Sequence, residues 1–411
     1  MAGLRVLPKS EVRAALTGRL LSARAQTDHL FDILKPSALY GRPIAERHRL
    51  IFYLGHLEAF DWNQIARAGL DAASFHPSFD KLFEFGIDPP AGKASEDHPS
   101  DWPAVAEVRS YNTRVRSELD RLLAEAPEDL LHIAIEHRLM HAETLAYLFH
   151  NLAYEHKQSE PQIRSAASYE RHHEMIVIPA GMATLGQRAG EFGWDNEFDE
   201  HRVDVAAFEI SKHKITNAEY LDFVREGARA PHFWAQRDGK WFYRGMFSEM
   251  PLPPDHPVYV THGEAAAYAR WRGKSLVTEA QFHRAAYGTP SGIERPYPWG
   301  DAPPDRRHGN FDFHHWDPTA VAATPRGDSA FGVSQLVGNG WEWTSTRFSP
   351  FEGFRPYPTY PGYSQNFFDG DHYVLKGASP RTAACFLRRS FRNWFRSDYP
   401  YVYASFRLVE N

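Results

Sequence analysis

The sequence contains very little cysteine. Its 411 residues include one, Cys385, so the chain can form neither an internal disulfide nor a thiolate cage around a metal ion. Any metal site has to use histidine and carboxylate ligands. A single cysteine also fits a reducing compartment, and we expect Cys385 to be an inert core residue.

Long apolar runs and basic tracts are also missing. No continuous apolar segment approaches the roughly 20 residues that span a membrane, and residues 1–9 lack the apolar core and cleavage site of a secretory signal. The 46 Lys and Arg against 52 Asp and Glu give a formal charge of -6, with no basic stretch suited to a phosphate backbone. We therefore expect a cytoplasmic protein that binds neither membranes nor nucleic acid.

The first part of the chain carries helical periodicity. Apolar residues recur every three, four or seven positions in four segments, 9–35, 44–68, 102–125 and 128–156, which predicts a four-helix bundle. Proline and glycine are frequent from 75 to 100, so this stretch is predicted to be a long crossover loop.

The second part has a different character. Periodicity is lost between His156 and His173, which predicts a linker between a first domain, 1–165, and a second, 175–411. Short strand-like runs, beginning with 175–181, alternate there with isolated helical stretches and many Gly, Pro and Trp residues. This pattern predicts an irregular α+β domain.

Two histidines four residues apart are the strongest chemical signal. His137 and His141 lie in the fourth helical segment, where residues i and i+4 share a face, so both imidazoles can reach one metal ion. His56, in the second segment, is the best candidate for a third ligand. With 22 histidines in the chain, the spacing alone leaves open whether this pair binds metal or arose by chance.

Five motifs in the second half carry a family resemblance. They are Gly193-Trp194-Asp195-Asn196-Glu197, Ile215-Thr216-Asn217-Ala218-Glu219-Tyr220, Leu276-Val277-Thr278-Glu279-Ala280-Gln281-Phe282, Tyr297-Pro298-Trp299-Gly300 and Val337-Gly338-Asn339-Gly340-Trp341-Glu342-Trp343-Thr344. Together they resemble the formylglycine-generating-enzyme or sulfatase-modifying-factor module, a variant of the C-type-lectin fold. The resemblance covers about residues 175–409. Those enzymes bind copper through a cysteine pair, which this chain lacks.

The order of the two halves resembles another group. A helical bundle of the DinB-like class with a His-x3-His-x-Glu motif, followed by this module, is similar to the ergothioneine-pathway sulfoxide synthases. The resemblance implies mononuclear Fe(II) held by His56, His137 and His141, with coordination positions open for O2 and a chalcogen donor. We expect Glu143 to orient a ligand or to close a helix contact, and not to bind iron.

The resemblance also implies a substrate loop near the C-terminus. The stretch Ser390-Phe391-Arg392-Asn393-Trp394 matches a loop that helps to hold hercynine, the trimethylated betaine of histidine. Aromatic faces and amide oxygens recognise a quaternary ammonium, so Asn393, Trp394 and Phe395 are the predicted substrate-binding residues. In the alternative interpretation, Trp394 only seals a domain interface.

The chain departs from the thiol-using relatives at three points. Phe395 occupies a position that is often acidic in them, and no arginine lies between residues 68 and 107 to grip the carboxylates of a peptide donor. A tyrosine expected after the Trp-Glu-Trp motif is also not evident, since Phe348 and Phe351 fill the corresponding positions. These departures resemble the selenoneine synthase branch, which joins hercynine to a neutral selenosugar.

The leading hypothesis is therefore an O2-dependent, nonheme Fe(II) oxidoreductase that forms a C–Se bond between hercynine and a selenosugar. Its first alternative is an ergothioneine-type sulfoxide synthase that uses a thiol donor, cysteine or γ-glutamylcysteine. The second is a non-catalytic, lectin-like binding protein with a structural metal. The catalytic proton donor is not identified by the sequence.

Overall fold

The computed structural model describes residues 9–84, 96–158, 174–358 and 360–410. The chain divides into two compact units, Met1–Glu160 and Pro161–Asn411. The predicted linker falls largely on residues outside the described part. Each unit is described separately below.

The first unit is a helical bundle, as the periodicity predicts. Its long helices match the four predicted segments with shorter ends, α1 packs against α5, and α2 packs against α4. The helices are α1 (Lys9–Asp32), α2 (Leu50–Asp61), α3 (Pro77–Leu82), α4 (Val105–Leu122) and α5 (Glu128–His150). A π-helical segment, Trp62–Ala68, continues α2.

The prediction of a continuous crossover loop from 75 to 100 is wrong in part. Helix α3 forms at its start, because Pro77 occupies the first turn and the side chain of His76 accepts the Phe79 N–H as a cap. A 3-10 turn, Pro99–Asp101, forms at its end. Residues 85–95 lie outside the described part of the chain.

The second unit is an α+β domain built on two four-stranded sheets. One has the order β1-β4-β13-β8, the other β11-β10-β9-β12, and two smaller sheets pair β2 with β3 and join β5, β6 and β7. The strands are β1 (Met175–Ile178), β2 (Gly181–Leu185), β3 (His201–Val205), β4 (Phe208–Ser211), β5 (Trp234–Arg237), β6 (Lys240–Arg244), β7 (Glu249–Pro251), β8 (Ser275–Leu276), β9 (Gly340–Arg347), β10 (His372–Ala378), β11 (Asn393–Arg396), β12 (Ala404–Ser405) and β13 (Leu408–Glu410).

Three short helices of this unit begin at the same local signal. They are α6 (Asn217–Arg225), α7 (His262–Trp271) and α8 (Glu279–Tyr287). Each is preceded by a threonine whose hydroxyl accepts the N–H three residues on, while the Glu or Gln at that position accepts the threonine's own N–H. This capping box satisfies donors that a short helix otherwise leaves exposed. Helix α8 packs on β2, and the apolar core there includes Ile178, Ile210, Phe282 and Val409.

The second unit contains a cluster of three buried ionic side chains. Glu342, in the Trp-Glu-Trp motif, accepts hydrogen bonds from Lys214 at 2.8 Å and from Arg407 at 3.0 Å. All three side chains are excluded from solvent. Lys214 also donates to the Gln335 carbonyl, so the cluster connects distant segments of the chain.

Within the described ranges of both units, no helix has the length and apolar character needed to cross a bilayer.

Candidate metal centre

The structure brings the three predicted histidines of the first unit together. His56 projects from α2, and His137 and His141 project from one face of α5, as the i, i+4 spacing requires. One nitrogen from each ring lies within 4.8 Å of the other two. Nε2 of His56 and Nε2 of His137 are separated by 3.3 Å.

The orientation of His56 is determined by the segment that follows α3. Its Nδ1 lies 2.8 Å from the carbonyl oxygen of Phe83. A carbonyl only accepts, so Nδ1 carries the proton and Nε2 keeps its lone pair directed at His137. Gly55 makes this contact possible, because a Cβ added there would lie 2.7 Å from the buried Phe83 ring.

Aromatic rings form the walls of the site. The Phe60 ring stacks on His137 with centroids 3.4 Å apart, and the Phe52 ring stacks on His56 at 4.9 Å. The Tyr53 ring lies 5.7 Å from that of His141. These contacts restrict ring rotation and exclude water from the flanks of the two stacked imidazoles.

Burial keeps the three imidazoles neutral. It lowers the pKa of His56 to about 4, with a smaller effect in the same direction from His48. Burial also lowers the pKa of His137 and of His141 well below the usual value, and the neighbouring histidines add to the effect. Neutral imidazole is the form that binds a metal ion, so the site is in its ligating state at neutral pH.

The donor set fits a transition-metal ion. With a metal–nitrogen distance of about 2.1 Å, two imidazole nitrogens at neighbouring positions of an octahedral or tetrahedral coordination sphere lie roughly 3.0 to 3.4 Å apart. The 3.3 Å between Nε2 of His56 and Nε2 of His137 falls in this range. In the part of the chain that the structure describes, these three residues form the group with metal-ligand spacing. Imidazole suits Fe, Zn, Cu and Ni, so the geometry alone does not select the ion.

A second set of polar residues lies on the two helices that carry the histidines and on α4. Glu58 and Asp61 on α2, Arg116 on α4 and Arg138 on α5 form a group that we name the buried ion cluster of the bundle. Arg138 donates to Glu58 at 3.0 Å and to Asp61 at 2.6 Å, with all three side chains at most 2% exposed. Sequence analysis missed this cluster, although two carboxylates in the otherwise apolar α2 were a readable signal.

The predicted substrate residues lie in the second unit and form a strand. Asn393, Trp394 and Phe395 belong to β11, which pairs with β10, so the prediction of a loop is wrong at these positions. Successive side chains of a strand point to opposite faces. Trp394 stacks on Phe348 at 4.2 Å, whereas Phe395 stacks on Tyr399 at 5.0 Å.

The two faces of β11 therefore differ in their surroundings. Tyr363 and Phe367 complete the aromatic group around Trp394, at 5.2 and 5.7 Å. The Asn393 side chain accepts the N–H of Trp394. The strand brings Asn393 and Phe395 to one face and places Trp394 on the other.

Comparison with known protein families agrees with this architecture. Residues 19–157 match the DinB superfamily, and residues 160–411 match the sulfatase-modifying factor enzyme 1-like domain. The chain is thus a helical DinB domain followed by an α+β domain of the C-type-lectin-like class.

Relatives of the full two-domain arrangement specify the family further. The chain is 32% identical to hercynine oxygenase of Mycolicibacterium thermoresistibile over 97% of this chain and 95% of that protein. It is 34% identical to hercynine oxygenase of Mycobacterium tuberculosis over 74% of this chain and 77% of that protein. It therefore belongs to the hercynine oxygenase family. Ergothioneine biosynthesis protein 1 of Neurospora crassa is 29% identical over 92% of this chain, which spans only 56% of that longer protein.

Proposed function

We propose that this protein is an O2-dependent, nonheme Fe(II) enzyme that joins carbon 2 of the hercynine imidazole to the sulfur of a thiol and oxidises that sulfur to a sulfoxide. The C–H and S–H bonds break and a C–S bond forms. One oxygen atom of O2 enters the sulfoxide, and the other leaves as water with the two hydrogens. The two substrates supply all four electrons, so no external reductant is needed.

The observation that carries the proposal is the three-histidine group. A structural metal site is normally closed by four protein ligands, whereas this group has three members within the described residues. When bound, ferrous iron supplies open coordination positions and redox activity toward O2. His56, His137 and His141 are the residues proposed to hold it.

The surrounding residues have supporting roles. The Phe83 carbonyl holds His56 in the tautomer that presents Nε2. Phe60 and Phe52, stacked on their histidines, hold the rings and keep water away. For the betaine, we propose recognition by β11, because a quaternary ammonium is bound by aromatic faces. Asn393 and Phe395 are the recognition groups on one face of the strand, and Trp394 is the candidate on the other face.

A selenosugar is the second candidate donor. The names of the relatives favour the ergothioneine-type reaction with a thiol. One observation favours the selenosugar: Phe395 stacks on Tyr399, which gives this face of β11 an aromatic platform of the kind that suits a neutral sugar. The bond and electron count is the same with a selenol in place of the thiol.

Product mass separates these candidates. Purified iron-loaded enzyme is given hercynine, O2 and an equal mixture of cysteine, γ-glutamylcysteine and a 1-selenosugar. We expect a hercynyl sulfoxide as the main product, whereas a selenium-containing adduct as the main product would establish the second candidate. The matched control is His137→Ala, for which we expect no product and a retained helical circular dichroism spectrum.

Oxygen uptake tests whether the protein is an enzyme at all. We expect consumption only when hercynine and a donor are both present. If the protein binds hercynine but consumes no oxygen with any of the donors, the proposal is refuted and the lectin-like binding protein is supported.

A further inference from the structure

The buried ion cluster of the bundle connects the helices that carry the proposed metal ligands. Arg138 follows His137 directly on α5. Its guanidinium donates to the Leu57 carbonyl at 2.9 Å, next to His56, and also to Glu58 and Asp61. This one side chain therefore fixes both the position of α5 along its axis and its rotation relative to α2.

The other helices are bound to the same cluster. Arg138 donates to Thr27 of α1 at 3.2 Å. Arg116 of α4 donates to Glu58 at 2.6 Å and to Asp28 of α1 at 2.7 Å. All four long helices therefore contribute to a single hydrogen-bonded group.

The burial of these charged side chains restricts movement of α5 against α2. Arg138 and Asp61 are fully excluded from solvent, and Glu58 is 1% exposed. Arg138 is the charge partner of Asp61 in the described part of the chain. A buried carboxylate without its cation is strongly unfavourable, so sliding or rotation of α5 against α2 is opposed by this pair.

We propose that Arg138 is a positioning residue for the metal centre: by bonding α2 at Leu57, Glu58 and Asp61, in the turn that follows His56, it sets the separation of His56 from His137 and His141. The side chain touches neither metal nor substrate, and it acts through the backbone of the two ligand-bearing helices. The inference rests on the proposed metal site.

Cobalt binding tests this inference without any turnover. Co(II) alone is titrated into metal-free wild type, Arg138→Met and Arg138→Lys, and its visible absorption reports the coordination geometry. We expect binding to weaken by about 10- to 100-fold in Arg138→Met, the range typical of groups that orient metal ligands, with a changed cobalt spectrum. Arg138→Lys restores the charge without the planar fork and is expected to recover only part of the affinity.

Arg24→Met is the matched control. Arg24 is also buried, at 3% exposure, and its ion pair with Asp120 joins α1 to α4, neither of which carries a ligand. Its charge acts on Asp61 through space, so the variant also controls for loss of a nearby positive charge without loss of the hydrogen bonds between α5 and α2. We expect its cobalt affinity to stay within about threefold of wild type, well below the range for orienting groups, even where its unfolding free energy falls as much as that of Arg138→Met.

The outcomes are distinct. Unchanged affinity and spectrum in Arg138→Met would overturn the inference. If that variant does not fold, unchanged binding in both Arg138→Lys and Asp61→Asn would overturn it. Failure of the wild type to bind cobalt would instead refute the metal site and the proposed function.

Discussion

The charge count around Glu342 predicts that two substitutions in one ion cluster have very different effects. Glu342 is a single anion between two buried cations, Lys214 and Arg407. Glu342→Gln leaves both cations without their carboxylate, and breaking a buried ion pair in this way costs about 3 to 5 kcal/mol. Lys214→Met leaves Glu342 and Arg407 as a balanced pair. It loses two hydrogen bonds but also removes a buried charge, so the unfolding free energy should stay within about 2 kcal/mol of the wild-type value.

The lysine already destabilises the folded state in its charged form. Burial lowers the pKa of Lys214 from 10.5 to about 8, although Glu342 partly opposes the shift. At about 1.4 kcal/mol per pH unit, keeping the proton costs the folded state about 3 kcal/mol. Between pH 8 and 10.5 the unfolded chain binds more protons, so this group's contribution to stability rises with pH across that window. Burial also lowers the pKa of Lys376 to about 8, so the rise of stability with pH should become smaller in Lys214→Met without disappearing.

Urea unfolding measures both effects. Tryptophan fluorescence is a suitable signal because Trp341 and Trp343 flank Glu342 and are buried. Unfolding free energies of the wild type and the two variants are compared at pH 7 and at pH 9.5. Equal losses in Glu342→Gln and Lys214→Met at pH 7 would refute the charge-count argument.

Three further predictions concern other parts of the chain. His141→Ala removes one of three proposed ligands, so metal affinity measured by equilibrium dialysis should fall by more than about 100-fold, beyond the effect of an orienting group. Burial lowers the pKa of His262 to about 4. Between pH 6.5 and 4 the unfolded chain therefore binds a proton that the folded chain does not, and the unfolding free energy should fall as the pH drops. His262→Phe, which keeps the stack on Tyr373, should make this fall smaller. Trp394→Ala removes the stack on Phe348 and should cost about 3 kcal/mol in urea unfolding, whereas Trp394→Phe should keep stability and, if Trp394 binds the betaine, raise the KM for hercynine.

Local features of the sequence were the most predictable. The periodicity of each long helix lies within one segment, and the i, i+4 spacing of His137 and His141 fixes their common face once α5 forms. The short helix α3 was missed, although Pro77 in the first turn was a readable signal. The total proline content of residues 75–100 predicts a loop instead.

Features that depend on distant residues were not predictable from patterns. Glu58 and Arg138 are 80 residues apart, and no local signal pairs them. His56 is only a candidate third ligand until the family resemblance supports it, since its approach to α5 depends on how α2 packs. The pairing of Asn393 with Leu375 that makes β11 a strand is likewise a long-range contact, so the alternation of side chains across its two faces was not foreseen.

The close packing of Phe83 on Gly55 has a consequence for genetics. A random-mutagenesis screen for inactive variants is expected to find substitutions of Gly55 as well as of the three histidines, although a glycine has no reactive group to lose. A methyl group at position 55 is expected to displace the Phe83 ring and its carbonyl. The His56 imidazole, which donates a hydrogen bond to that carbonyl, should then change its orientation. Such a variant would resemble a ligand mutant in its phenotype while every ligand remained in the sequence.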